Sequence, residues 1–356
     1  MSPRASGVVR RPARELGAGA VGREEVPHVG VVLPTREALR AGTPALVARF
    51  GEAAEAAGLD SVWAGDSLLA RPLFDPFTVL ATVGARTERV LLGTGALLAP
   101  LRHPVLAAQA LASLDQLSGG RLIVGVGRGL DLPETRREFA AAGVPFEQRS
   151  RLLDEAVALW RDLWASGPDA VVDRAGHYGV LEHVEFQPRP VGQAPPPVWL
   201  AGFGPAAFRR TARLADGWLP YPPTALQYRE GWEAITGQAA GRDPDRITPA
   251  LMATVAIGDP VSSQEMLERY VPTFYGYPLE IVSLLQACRA GPAATIVDWL
   301  REYWEAGARA FVIRLGSLDA PLRQLELLAG EVLAEMWSWG DGERARSEDR
   351  HKEVVA

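Results

Sequence analysis

The sequence predicts an α/β protein, a (β/α)8 barrel with an insertion after the fourth strand. Three observations lead there. Eight short apolar runs alternate with segments of helical periodicity, and several of the runs close in glycine-rich turns. The chain has 356 residues and 47% hydrophobic content, enough to bury a core of that size. In such a barrel the chemistry lies at the C-terminal ends of the strands.

Element by element, "HVGVVLPT" (His28 to Thr35) is a short apolar run of the kind that forms a strand buried on both faces. "TPALVARFGEAAEAAGL" has helical spacing, with Pro44 suited to a helix start and Gly58 standing just past its end. "DSVWAGD" is the second strand. "DPFTVLATVGART" is a helix capped by Asp75 with Pro76 behind it, leading into the third strand, "RVLLGTGALL". "HPVLAAQALASLDQLSGG" and "RLIVGVGRG" repeat the helix-and-strand unit.

The rhythm then breaks. A long helix around "FEQRSRLLDEAVALWRDLWA", a short strand excursion and a proline-rich spacer occupy about 131–197. "VWLAGFG", "GWLPY", "PALMATVAIG" and "ARAFVIRLG" complete the eight strands, and "LDAPLRQLELLAGEVLAEM" is the closing helix. Between the last two strands the chain reads as helical through Trp304, with Cys288 inside that helical stretch. Residues 1–26 are expected to be a disordered extension, 27–335 one barrel domain, and 336–356 a charged tail.

Composition excludes several functions. A net charge of −6, with no basic stripe, disfavours nucleic acid. No apolar run is long enough to span a membrane and the N-terminus has no signal-peptide core, so a cytoplasmic protein is expected. A single cysteine, Cys288, permits no internal disulfide and reads as a small core residue. The only lysine, Lys352, lies in the tail, which excludes a Schiff-base aldolase. Five histidines without ligand spacing leave no metal site. "GVGRG" has no nucleophilic serine and completes no dinucleotide fingerprint.

What remains at the strand ends is glycine and backbone. "GTGA" and "GVGRG" leave flat surface for a planar ring. In "AGFGPAAFRR" a strand ends at Gly202-Phe203-Gly204 and a helix begins at Pro205, so free N–H groups and the positive helix end suit a phosphate. Arg209 and Arg210 could add charge there, but as helix-surface residues they read first as solvated or ion-paired.

"GLDSVWAGDSLL", the segment from "DPFTVLATVGART" to "RLIVGVGRG", and "PPPVWLAGFGPAAFRRTARLADGWLPY" together resemble the luciferase-like flavin-dependent oxidoreductases. That family includes bacterial luciferase, alkanal and sulfonate monooxygenases, and deazaflavin-dependent reductases and dehydrogenases. The resemblance runs from about His28 to Leu333. It implies a cofactor, FMN or the deazaflavin coenzyme F-420, across the C-terminal face of a (β/α)8 barrel. By position it implies Gly95 and Ala96 behind the ring, Gly125, Val126 and Gly127 beside it, Gly202, Phe203 and Gly204 around the phosphate, and Asp66 near the ring.

Two departures qualify the likeness. Sugar-phosphate dehydrogenases of the deazaflavin branch carry Asp-His where this chain has Asp66-Ser67, and Glu where it has Leu130. The usual acid/base pair is therefore missing, which leaves His103 in "LRHPV", with Asp66, as the candidate catalytic groups. Ser67, Leu130, Tyr221, Tyr275 and Tyr277 are the candidate substrate contacts. The compact insertion and the "GTGALL" strand end favour hydride transfer with coenzyme F-420 to or from a small organic substrate. An FMN-dependent monooxygenase is the alternative, and a non-catalytic cofactor-binding barrel is a third. The expected partners are a small organic molecule, a separate flavin or F-420 reductase, and a second copy in a homodimer.

Overall fold

Eight parallel strands close on themselves in the computed structural model, which describes residues 26–165, 171–192, 194–239 and 241–340. They are β1 (His28–Val32), β2 (Ser61–Ala64), β3 (Leu91–Thr94), β4 (Leu122–Gly127), β5 (Val198–Ala201), β6 (Gly217–Leu219), β7 (Thr248–Ile257) and β8 (Ala310–Leu315). Each pairs with the next in sequence, and β8 returns to β1 through Ala310 opposite His28. The expected fold class is thus present, and alternation of each strand with a helix on the outside explains it.

The barrel interior is filled by two tryptophans. Trp63 and Trp199 lie with ring centroids 5.2 Å apart, among Val32, Leu91, Ile123, Leu219, Met252 and Val312. Glycines on neighbouring strands make room for them: a Cβ on Gly93 would stand 2.3 Å from the Trp63 ring, and one on Gly217 2.4 Å from Trp199. These glycines serve packing, because an indole takes the space of two side chains.

Outside, local signals place the helices as expected. Asp75 accepts hydrogen bonds from the Phe77 and Thr78 N–H groups at the start of helix Pro76–Gly84. Helix Ala45–Ala56 starts after Pro44, and Gly58 follows it at φ +86°.

Three expectations change. The stretch 131–197 is not one insertion, because helix Arg149–Ala165 is a layer helix of the barrel. It packs on helix Pro104–Ser118, with the Trp160 and Trp164 indoles donating to the Pro104 and Ala108 carbonyls at 2.9 and 3.2 Å. The true additions are helix Pro133–Ala141 and an antiparallel hairpin of Val171–Gly176 with Gly179–Glu185.

Cys288 is not helical; it begins a short strand, Cys288–Gly291, beside the last residues of β7. β7 is ten residues long and outruns β6, so its free edge accepts another strand. Finally, Met336 and Trp339 are buried, the latter against Trp304 and Phe311, so the packed chain passes the expected boundary at 335. The rest of the expected tail from Asp341 lies outside the described residues, as does the expected N-terminal extension apart from Val26.

Burial pushes the Cys288 thiol up to about 11. Alkylation at pH 8 is expected to run roughly a hundredfold slower than for a free cysteine and to rise with pH up to about that value. The rate of iodoacetamide labelling against pH, followed by mass spectrometry, checks this. A plateau near pH 8.5 would contradict it.

Candidate cofactor site at the strand ends

β3 stops at Thr94, and a cis Gly95–Ala96 peptide precedes a two-residue continuation, Leu97–Leu98, that pairs with Val126 and Gly127 of β4. Thr94 Oγ1 donates to the Gly125 carbonyl at 2.7 Å and ties the two strands. Ala96, Gly127 and Ala201 meet here: a Cβ on Gly127 would stand 3.4 Å from the Ala96 Cβ and 4.0 Å from that of Ala201. Three adjacent strands thereby end in a floor of methyl groups and backbone. A planar ring can lie on such a surface, and larger side chains would lift it.

Other residues expected in this floor act from beneath or behind it. A Cβ on Gly95 would point at Met252 Cε, 3.0 Å away, and at Trp63, so that position contributes backbone to the floor and its missing side chain makes room below. Gly125 is empty because a Cβ there would stand 2.0 Å from the Thr94 carbonyl oxygen. Val126 turns its side chain outward into the helix-facing core, as strand alternation requires, and offers the cofactor backbone only.

The second part of the site is the turn after β5. Gly202 and Gly204 have φ of +132° and +99°, and Gly204 caps helix Pro205–Leu214. Nothing lies within 4 Å of the place a Gly204 Cβ would occupy. That open cradle faces the first helical turn, where the Ala206 and Ala207 N–H groups have no carbonyl partner within the helix. Trp218 Nε1 donates to the Gly202 carbonyl at 3.0 Å and holds the turn. Phe203 is exposed, its ring near Phe208 and Trp218. Arg210 is bound with Arg213 to Asp154, so of the two arginines Arg209 alone stays exposed without such a tie.

Among the described residues no hydrogen bond or ion pair joins the expected catalytic pair, Asp66 and His103. The Asp66 carboxylate is 2% exposed; it receives both guanidinium nitrogens of Arg102 and the Leu98 N–H at 2.8 Å. Arg102 also reaches Asp75 at 3.1 Å. A carboxylate so fully bonded braces the loop after β2 against the β3 continuation and is not a free base. His103 is exposed at the start of helix Pro104–Ser118, with its ring edge-on to Tyr178 of the hairpin, 5.4 Å between centroids.

Ser67 is also engaged. Its hydroxyl donates to Glu138 at 3.2 Å and accepts from the Arg71 N–H at 2.8 Å. Glu138 is buried and also takes the Leu68 and Leu69 N–H groups. Leu68, Leu69 and Leu130 remain exposed on the two loops that flank helix Pro133–Ala141. Arg71 then binds Glu134 at 2.6 Å and the Tyr275 carbonyl, joining the segments after β2, β4 and β7. Nothing in the sequence marks Arg71 or Glu138, because their partners are brought to them only in space, 63 to 204 residues away.

Tyr221, just past β6, packs on the top of the barrel interior, and burial pushes its hydroxyl up to about 12. Arg314 at the end of β8 is 8% exposed and donates to the Tyr275 hydroxyl. Tyr275 and Tyr277 both pack against the apolar cluster around helix Pro260–Tyr275. Of the expected substrate contacts, Tyr221 and Leu130 therefore stand just past strand ends, Tyr275 closes helix Pro260–Tyr275, and Ser67 is tied up in the loop after β2. Trp299, Tyr303 and Trp304 are buried on helix Ala293–Glu305 and pack it on the barrel. Among the described residues no cluster of His, Cys, Asp and Glu could hold a metal, and no helix is long and apolar enough to cross a membrane.

The site is thus a (β/α)8 barrel rim with a flat floor of small residues at three strand ends and a glycine turn at a helix start. The luciferase-like monooxygenase family model matches residues 28–348, and the chain belongs to that family. An F-420-dependent hydroxymycolic acid dehydrogenase of Mycobacterium tuberculosis is 35% identical over 242 residues, 65% of this chain and 63% of that protein. The chain thus matches somewhat less than two thirds of that relative's length.

Among solved structures, an F-420-dependent secondary alcohol dehydrogenase in complex with an F-420–acetone adduct superposes with a TM-score of 0.72 at 21% identity, covering 87% of this chain and 99% of that one. The oxygenating constituent of 3,6-diketocamphane monooxygenase from Pseudomonas putida, in complex with FMN, gives 0.66 at 17% identity over 87% and 98% of the two chains. At these identities the superpositions establish the barrel fold.

Proposed function

We propose that the protein is an oxidoreductase that passes hydride between coenzyme F-420 and the carbonyl or secondary alcohol of a small organic substrate. The observation that carries this reading is the floor of Ala96, Gly127 and Ala201, with the open cradle at Gly204 at the end of the neighbouring strand. The F-420 dependence of the 35% identical dehydrogenase favours the deazaflavin.

When bound, that cofactor supplies or accepts a hydride and leaves substrate positioning to the protein. Ala96, Gly127 and Ala201 back the ring. The turn at Gly202–Gly204 and the N–H groups of Ala206 and Ala207 hold the phosphate. The exposed Leu68, Leu69 and Leu130 flank the entrance and keep water from the reacting carbon. With its hydroxyl held up to about 12, Tyr221 stays a neutral donor across the physiological range, suited to the oxygen of a carbonyl substrate. In the reductive direction a separate reductase would return the cofactor to its reduced form. The lone cysteine fits a cytoplasmic setting.

An FMN-dependent oxygenase is the second reading, since the same floor suits an isoalloxazine and one neighbour of this fold is in complex with FMN. Titration of purified protein with FMN and coenzyme F-420, each oxidised and reduced, followed by absorbance and fluorescence, separates the two. Preference for the deazaflavin supports hydride transfer, and preference for reduced FMN overturns it. Binding of neither removes both.

A further inference from the structure

On the loop after β2 the polar side chains are bonded inward and the leucines stay out. Asp66 is engaged by Arg102 and the Leu98 N–H, and the Ser67 hydroxyl by Glu138 and the Arg71 N–H. Glu138, 1% exposed, takes the Leu68 and Leu69 N–H groups as well, and Arg71 closes on Glu134. Leu68 and Leu69 are left 53% and 65% exposed, and Leu130 on the loop after β4 is 52% exposed.

One helix fixes the backbone of all three. Glu134 and Glu138 stand four residues apart on Pro133–Ala141, hence on one face, and grip the β2 loop at Arg71 and at Ser67, Leu68 and Leu69. The β4 loop packs on the same helix: a Cβ on Gly129 would stand 3.1 Å from Thr135 Cγ2 and 3.2 Å from the Phe139 ring. The Leu132 N–H then closes a turn on the Leu130 carbonyl at 3.1 Å. Across the mouth, Leu284 and Leu285 are also exposed, and the Ala287 N–H donates to the Tyr221 carbonyl at 3.0 Å, which sets that segment at the end of β6. Leucines grouped on fixed backbone around a concave site mark a surface made to be covered.

We propose that the substrate is a ketone or secondary alcohol carrying an alkyl chain, with its oxygen-bearing carbon over the floor and the chain laid along Leu68, Leu69 and Leu130. The occupant is substrate because these leucines are continuous with the floor. Leu130 follows Gly127 by three residues, and Asp66, two residues before Leu68, is bonded to the strand continuation that follows Ala96. A sugar or other polyol would find the acid and the hydroxyl of the β2 loop already bonded. The identity of the reacting carbon rests on the hydride-transfer reading above; binding of the chain does not.

The test uses the full-length protein without cofactor, titrated calorimetrically with 2-butanone, 2-hexanone, 2-octanone and 2-decanone. Affinity is expected to rise about two- to fourfold per added methylene, the gain for burying each one partly or wholly. Leu69→Ser combined with Leu130→Ser should weaken 2-decanone about tenfold or more and 2-butanone far less. Both positions are exposed, so the double variant is expected to fold, and its melting curve checks this.

Affinity that does not change with chain length, or a double variant that binds 2-decanone as the parent does, would overturn the proposal. So would a parent protein that sediments as a dimer and a double variant that sediments as a monomer, because the leucines would then cover a second copy. The chain-length series in the parent decides alone if the double variant does not fold. Because no cofactor is present, failure here leaves the hydride-transfer reading intact, and failure of F-420 binding leaves the apolar chain site intact.

Discussion

Gly204→Glu is expected to weaken FMN or coenzyme F-420 by about a hundredfold while changing riboflavin, which has no phosphate, far less. Two effects combine at this position. Gly204 sits at φ +99° and ψ 168°, a conformation that side chains resist at a cost of about 1–3 kcal/mol. A glutamate there also places negative charge at the positive end of helix Pro205–Leu214, where the phosphate would bind. Gly204→Ala separates the two, because it carries the backbone strain without the charge. Fluorescence titration of both variants with FMN and riboflavin reads the difference. Equal losses for the two ligands would mean that the turn holds no phosphate.

Gly125→Ala is expected to destabilise the protein by about 4 kcal/mol or more, a large share of the stability of an ordinary domain. The added methyl would stand 2.0 Å from the Thr94 carbonyl oxygen, so β3 and β4 must part at the point where Thr94 and Gly125 are bonded. Two residues further along the same strand the same change behaves differently. Gly127→Ala meets the Ala96 methyl at 3.4 Å, tight but tolerable, and its first effect is to raise the floor. It should fold with a melting temperature near that of the parent and bind cofactor more weakly. Thermal melts with cofactor titrations of both variants check the pair, and a stable Gly125→Ala protein with impaired binding would assign Gly125 to the cofactor instead.

That contrast shows how far the sequence could be read. "GTGALL" and "GVGRG" look alike on the page, as small residues at strand ends, and the expectation that they come together at one face was correct. Which glycine serves what could not be read. Gly93 and Gly217 make room for Trp63 and Trp199, Gly125 lets two backbones approach, and Gly127 alone completes the floor with Ala96 and Ala201. The division depends on where an indole from another strand lies, and periodicity carries no information about that.

The charged residues follow the same division. Asp75 acts within three residues of itself, so its cap was legible. The Asp66 partner is 36 residues away and Glu138 reaches back 71 residues to Ser67, so a free acid and a free hydroxyl on the page become two braces in the fold. Arg314 at the end of β8 meets Arg36 and Phe274, which arrive from the helices that follow β1 and β7.

By itself the sequence determined the strand and helix rhythm, the face on which the site lies, and the glycine turn at Pro205, because each depends on neighbours within a few residues. The tertiary structure decided which side chains are free to act, since pairing, burial and close approach join residues tens to hundreds of positions apart. The closed barrel alone brings those residues to one rim.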